Sequence, residues 1–167
     1  LGAFVLVFSA LWRAWWADNN FNTGYNSSRT GDLTKSFEHL LEAVQLNPLE
    51  PFYHSELAYT ASALASEVKE SSLSAQLEIL ALSEANRATT TSPNSLNYQK
   101  NLINVYINLS DLDPAYLPEA KRVYQKTIQL APTDVKTYYN YARFLWTTGE
   151  KEQSIDLFKK TVELKLN

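Results

Sequence analysis

Two histidines, His39 and His54, are the only imidazoles in the 167-residue chain. Paired on one helix face, or set among spaced carboxylates, they could hold a metal ion. The carboxylate beside His39 is Glu38, and sequence neighbours do not face each other on a helix. Both histidines therefore read as surface or partly buried residues. Asp111 and Asp113 in "DLDP" have the spacing of a carboxylate pair, but next to a proline such residues serve as turn and cap groups. Glu67 and Glu70 read as a solvated face. "TGDLTKS" contains a Gly, a Lys and a Ser without the spacing of a phosphate loop. No Ser stands in a nucleophile elbow. With no Cys in the chain, thiol nucleophiles, disulfides and Cys-based zinc sites are excluded. The sequons at Asn26 and Asn108 fall within predicted helices and read as chance matches. No catalytic residue, metal ligand or cofactor is expected in this segment.

Composition points to helices. Gly numbers 4 and Pro 6, while Leu, Ala, Glu and Lys are frequent. The length suits one domain with a sizeable core. Net charge is −3 with both signs interspersed, which gives no basic patch for nucleic acid.

The elements that position these residues repeat along the chain. "EHLLEAVQLNPLEP", "ALSEANRATTTSPNS" and "KRVYQKTIQLAPTDV" each run from an amphipathic helix into a proline turn, at Pro48, Pro93 and Pro132. "RTGDLTKSFEHLLEAV" and "TTGEKEQSIDLFKKTV" place Gly31 and Gly149 where a helix hairpin must reverse. The landmarks lock into four units, about 17–50, 51–95, 96–134 and 135–167, with the second and third lengthened at 67–74 and 111–118. Tyr53, Leu57, Ala61, Leu64 and Val68 lie three or four apart and form one apolar stripe. A single hairpin cannot bury such a stripe, so stacking supplies the core. The expected fold is all-α, a solenoid of about four antiparallel helix hairpins preceded by an apolar N-terminal helix.

Small residues recur on the first helices at Gly24, Ala58 and Ala142, and on the second at Ser36, Ala81, Ala120 and Ser154. Large ones follow at Leu40, Tyr124 and Phe158, with Ala85 the exception. With the terminal prolines, this pattern resembles the tetratricopeptide repeat (TPR) over roughly residue 17 to the end. The resemblance implies a concave groove lined by the fifth and ninth residues of each unit: Phe21, Ser55, Lys100 and Tyr139, then Tyr25, Tyr59, Asn104 and Arg143. The implied partner is a protein or peptide. Lys100, Asn104 and Asn140 also resemble the first two layers of the family's clamp for a peptide's C-terminal carboxylates.

The opening "LGAFVLVFSALWRAWWADNN" has no charge before Arg13 and does not begin with Met. Trp12, Arg13, Trp15 and Trp16 have the make-up of an interfacial belt, so residues 1–16 read as the end of a transmembrane or juxtamembrane helix. A buried or capping helix and a signal peptide are the alternatives. The stretch from "RAWWADNN" to "LNPLEPFYHSELA" is similar to the C-terminal region of bacterial membrane proteins related to O-antigen ligases and polymerases. That similarity implies a membrane-associated envelope protein with its catalytic part upstream, and this segment as its non-catalytic interaction tail. The other reading is a soluble or singly anchored TPR adaptor for peptide tails.

Overall fold

The computed structural model describes the backbone of residues 2–166 and the side chains of residues 7–166. The described chain is helical throughout: α1 (Gly2–Thr30), α2 (Leu33–Leu46), α3 (Pro51–Glu67), α4 (Ser71–Thr91), α5 (Leu96–Leu109), α6 (Leu117–Leu130), α7 (Val135–Thr147) and α8 (Lys151–Leu166).

Local chemistry sets the ends. Asp32 caps α2 by accepting from the Lys35 N–H at 3.1 Å. Glu50 accepts from the Phe52 N–H at 3.1 Å, and Pro51 occupies the first turn of α3, where its missing N–H costs nothing. Asp113 accepts from the Ala115 N–H at 2.9 Å and starts a short 3-10 turn, Pro114–Tyr116. It is a cap, as the "DLDP" reading expects. Gly31 (φ 85°) and Gly149 (φ 91°) end α1 and α7 in the left-handed region. Beyond them the Asp32 N–H reaches the Ser27 carbonyl at 3.0 Å, and the Glu150 N–H reaches Leu145 at 2.8 Å. That backward reach satisfies carbonyls left open by a helix end.

The helices pair as α1–α2, α3–α4, α5–α6 and α7–α8. Each hairpin's second helix packs on the next hairpin's first, and α3 also packs directly on α5. Three apolar clusters run along the stack. One joins Ala17, Phe21, Leu40 and Leu57; one joins Ala61, Leu77, Ala81 and Leu109; one joins Ile103, Val123, Tyr141 and Leu145. The small residues lie at the closest approaches. Ala58, Ala81, Ala120, Ala142, Ser36 and Ser154 are all buried. A Cβ on Gly24 would stand 2.8 Å from Leu40 Cγ and 3.0 Å from both the Leu40 nitrogen and the Ser36 carbonyl oxygen. The extra residues of the second unit lengthen α3 and α4 to 17 and 21 residues. Those of the third form the 3-10 turn. Asn26 and Asn108 lie within α1 and α5.

Helix α1 passes through residues 16 and 17 without a break, so its backbone joins the apolar opening to the first repeat. The set expected at a membrane interface divides. Arg13 Nη2 donates to the Leu46 carbonyl at 2.8 Å, and Trp16 Nε1 donates to Glu42 at 3.0 Å; both dock on α2. Trp12 and Trp15 remain more than half exposed, as do Val7, Phe8 and Leu11. Among the described residues no helix is long and apolar enough to cross a membrane.

Candidate partner-binding groove

Helix α3 packs directly on α5, and residues of α7 border the same side of α5, so residues repeating every three or four positions on these first helices share one surface. There the structure has an open groove of about 430 Å³. Helix α5 forms its middle with Asn97, Lys100, Asn101 and Asn104; Tyr25, Phe52 and Glu56 close one end, and Lys136, Thr137 and Asn140 the other. Ile103 and Tyr124 contribute apolar surface.

The polar groups are held in place. Asn101 donates to Glu56 at 2.7 Å and to Ser55 at 3.0 Å, which ties α5 to α3. Burial pushes the Glu56 carboxyl up, and the Asn101 hydrogen bond offsets this in part. Lys100 forms a 2.6 Å ion pair with Asp134, whose carboxylate also accepts from the Thr137 hydroxyl. Burial alone would raise the Asp134 pKa, but Lys100 and Thr137 together hold it below the ordinary carboxylate value.

Four of the expected groove residues, Tyr25, Lys100, Asn104 and Asn140, line this one surface. Phe21 and Ser55 do not, because both are buried behind it. Phe21 stacks on Tyr53 with ring centroids 4.6 Å apart, and Ser55 accepts from Asn101. Tyr59 is half-buried and outside the groove lining. By the roughly 100° advance per residue of an α-helix, Tyr139 lies about 60° around α7 from Lys136 and about 100° from Asn140, whereas Arg143 stays near the Lys136 face but about two turns further along. Arg143 instead lines a shallow cavity of about 260 Å³ with Trp146 and Phe158, and its guanidinium lies 5.9 Å from the Tyr139 ring centre.

The three residues of the expected carboxylate clamp do converge, but the chain's own Asp134 already holds the Lys100 ammonium. Glu56, Asn97, Asn101 and Lys136 were missing from the sequence reading. Part of the signal was present, since "NYQKNLIN" places Asn97, Lys100, Asn101 and Asn104 on one helical face.

The histidines are structural. His39 Nδ1 is hydrogen-bonded to Asn20 Oδ1 at 2.8 Å. His54 is buried, with Nε2 on the Pro48 carbonyl at 2.9 Å and Nδ1 on Glu84. Among the described residues no three His, Asp or Glu side chains are grouped to hold a metal.

Comparison with known proteins agrees with this architecture. Residues 135–167 match the sequence profile of a tetratricopeptide repeat. No curated protein matches the chain by sequence. Among solved structures, a thermophilic TPR protein of Thermus thermophilus, TTC0263, superposes with a TM-score of 0.68 at 18% identity, covering 89% of this chain and 74% of that one. A double mutant of MamA RS-1 gives 0.66 at 14% identity, covering 89% and 75%. MamA 41-end from Desulfovibrio magneticus RS-1 gives 0.65 at 13% identity, with the same coverage. These matches carry no link to O-antigen ligases or polymerases. They show a fold, and that fold is a tetratricopeptide-repeat-like array of helix hairpins, with its profile match in the last unit.

Proposed function

We propose that the array is a non-catalytic docking module that holds an extended peptide segment of a protein partner in the α3–α5–α7 groove. The observation that carries this is the convergence of Asn97, Asn104 and Asn140 on one open surface, with Asn101 between them locked onto α3. A side-chain amide both donates and accepts, so a row of them matches the alternating N–H and C=O groups of an extended backbone without demanding one sequence. The aromatic rings at one end add apolar contact. The resemblance of the hairpin stack to TPR proteins supports the same use.

The test is binding of randomised nonapeptides, acetylated and amidated, to the wild type and to Asn104→Ala with Asn140→Ala. Losing two hydrogen-bonding side chains at about 0.5–1.5 kcal/mol each weakens binding roughly tenfold. Tyr59→Ala with Arg143→Ala, outside the groove, leaves it within about twofold. Equal binding by wild type and the double Asn variant would remove the groove from the account.

A second reading concerns where the module works. Val7, Phe8, Leu11, Trp12 and Trp15 form an exposed apolar stripe along the start of α1. Such a stripe suits the interfacial region of a membrane, with the array as the tail of a bacterial envelope protein of the glycan ligase or polymerase type. Sedimentation with phosphatidylglycerol vesicles tests the membrane part: wild type pellets, and a variant lacking residues 1–12 stays in solution. Equal sedimentation of both would overturn it.

A further inference from the structure

The charged groups of the groove are unequally partnered. Lys100 is held by Asp134. Arg29, at the end of α1, stands 5.8 Å from the Tyr25 ring centre. Glu56 has only an amide partner, Asn101. No cation among the described residues forms an ion pair with it.

A carboxylate kept partly from water without a counter-charge is costly. Its raised pKa expresses that cost. Phe52 stands one helical turn before Glu56 on α3 and lines the same end of the groove. Its ring is 5.0 Å from Phe21 and 6.2 Å from Tyr25, centre to centre, so the wall it belongs to is rigid and aromatic. A carboxylate beside an aromatic wall is the chemistry that receives a guanidinium or ammonium group, by charge-assisted hydrogen bonding and cation–π attraction. At the opposite end Lys136 lines the groove.

We propose that Glu56, with Phe52 and Asn101, is a subsite for one basic side chain, Arg or Lys, of the peptide bound in the groove. This rests on the peptide-docking reading above and adds the residue class it selects.

The test uses positional-scanning pools of acetylated, amidated nonapeptides, each with one position fixed as Arg, Lys, citrulline or Gln and the rest randomised. At one position the Arg and Lys pools should bind the wild type about tenfold more tightly than the citrulline and Gln pools. Glu56→Gln, which keeps the amide contact, should abolish that preference, so that its Arg, Lys, citrulline and Gln pools bind within about twofold of one another. Glu56→Asp, which keeps the charge, should retain a weaker preference. Circular dichroism confirms that both variants fold. Equal binding of Arg and citrulline pools by wild type, or a preference that survives in Glu56→Gln, would overturn the subsite and leave the groove reading intact. Absence of binding in every pool would overturn both. A parallel set with free N-termini separates side chain from terminus, since a cation preference seen only with the free amine would also overturn the side-chain subsite.

Discussion

The imidazole of His54 and the carboxylate of Glu84 are hydrogen-bonded between α3 and α4, both almost fully buried. The other ring nitrogen donates to the Pro48 carbonyl, so both nitrogens face acceptors. Only the imidazolium supplies two donors. Gln99, six residues after Pro93 as His54 is after Pro48, makes the same contact to its proline carbonyl with an amide, at 2.9 Å. The α3–α4 hairpin thus has a titrating tie where the α5–α6 hairpin has a neutral one.

The pH dependence follows. Glu84, opposed by burial and helped by the Pro48 carbonyl, raises His54 above its ordinary 6.5. A raised folded-state pKa means the stabilisation is fully present below pH 6.5 and is lost as pH rises through the folded value. Urea midpoints should fall over that window. His54→Gln, which keeps the donor to Pro48, should flatten the curve. Glu84→Ala should cost about 3–5 kcal/mol at about pH 6 by stranding a buried charge. A flat wild-type curve would refute the pairing.

Two glycines should respond to alanine for opposite reasons. At Gly149 a Cβ meets nothing within 4 Å, and the cost is the left-handed backbone alone, about 1–2 kcal/mol. At Gly24 alanine gains about 1 kcal/mol in helix propensity, but the methyl strikes the Leu40 and Ser36 backbone. Overpacking of about 1–3 kcal/mol should win and open the α1–α2 contact. Chemical denaturation of the two variants measures both costs. A Gly24→Ala variant as stable as wild type would show that the hairpin yields.

Lys100 and Asp134 set a prediction about acid and about ligands. The lowered Asp134 pKa contributes stability that is present above the ordinary carboxylate value and lost as pH falls through the folded one. Lys100→Ala should move the Asp134 carboxyl upward in an NMR titration and cost less than about 1 kcal/mol, since the pair is partly exposed. Because Asp134 already occupies the Lys100 ammonium, peptides with free and amidated C termini should bind equally. Tighter binding of the free carboxylate would restore the clamp.

Removing residues 1–12 tests the start of α1. From residue 7 to Trp16 every residue is exposed, and Ala17 is the first buried one among the described side chains. The truncated protein should keep its melting temperature within about 2 °C, since surface residues away from packed features contribute within about 0.5 kcal/mol. It should also bind less dodecyl maltoside. A collapse in helicity would place the stretch in the core.

The repeat frame was legible because hairpin turns and close helix crossings restrict residue type. Gly31 and Gly149 carry positive φ, and Ala58, Ala81, Ala120 and Ala142 are buried where helices meet. The groove was half legible. Periodicity marks which residues share a helical face, and that placed Lys100, Asn104 and Asn140 together. It does not say how far each helix is rotated against its neighbours. That rotation depends on side-chain packing between consecutive hairpins, such as Tyr124 stacked on Tyr141 at 4.9 Å and Phe21 on Tyr53. It buried Phe21 and Ser55, left Tyr139 and Arg143 outside the groove, and brought in Glu56 and Lys136.

The amino-acid sequence by itself determined that this chain stacks helix hairpins, because small residues, turn glycines and apolar stripes act locally and repeat. Tertiary structure alone decided which polar groups answer one another. The Lys100–Asp134 pair, the His54–Glu84 contact and the Glu56–Asn101 hydrogen bond join groups 30 or more residues apart. Coulomb and hydrogen-bond energies depend on ångström-scale distances that no spacing along the chain encodes.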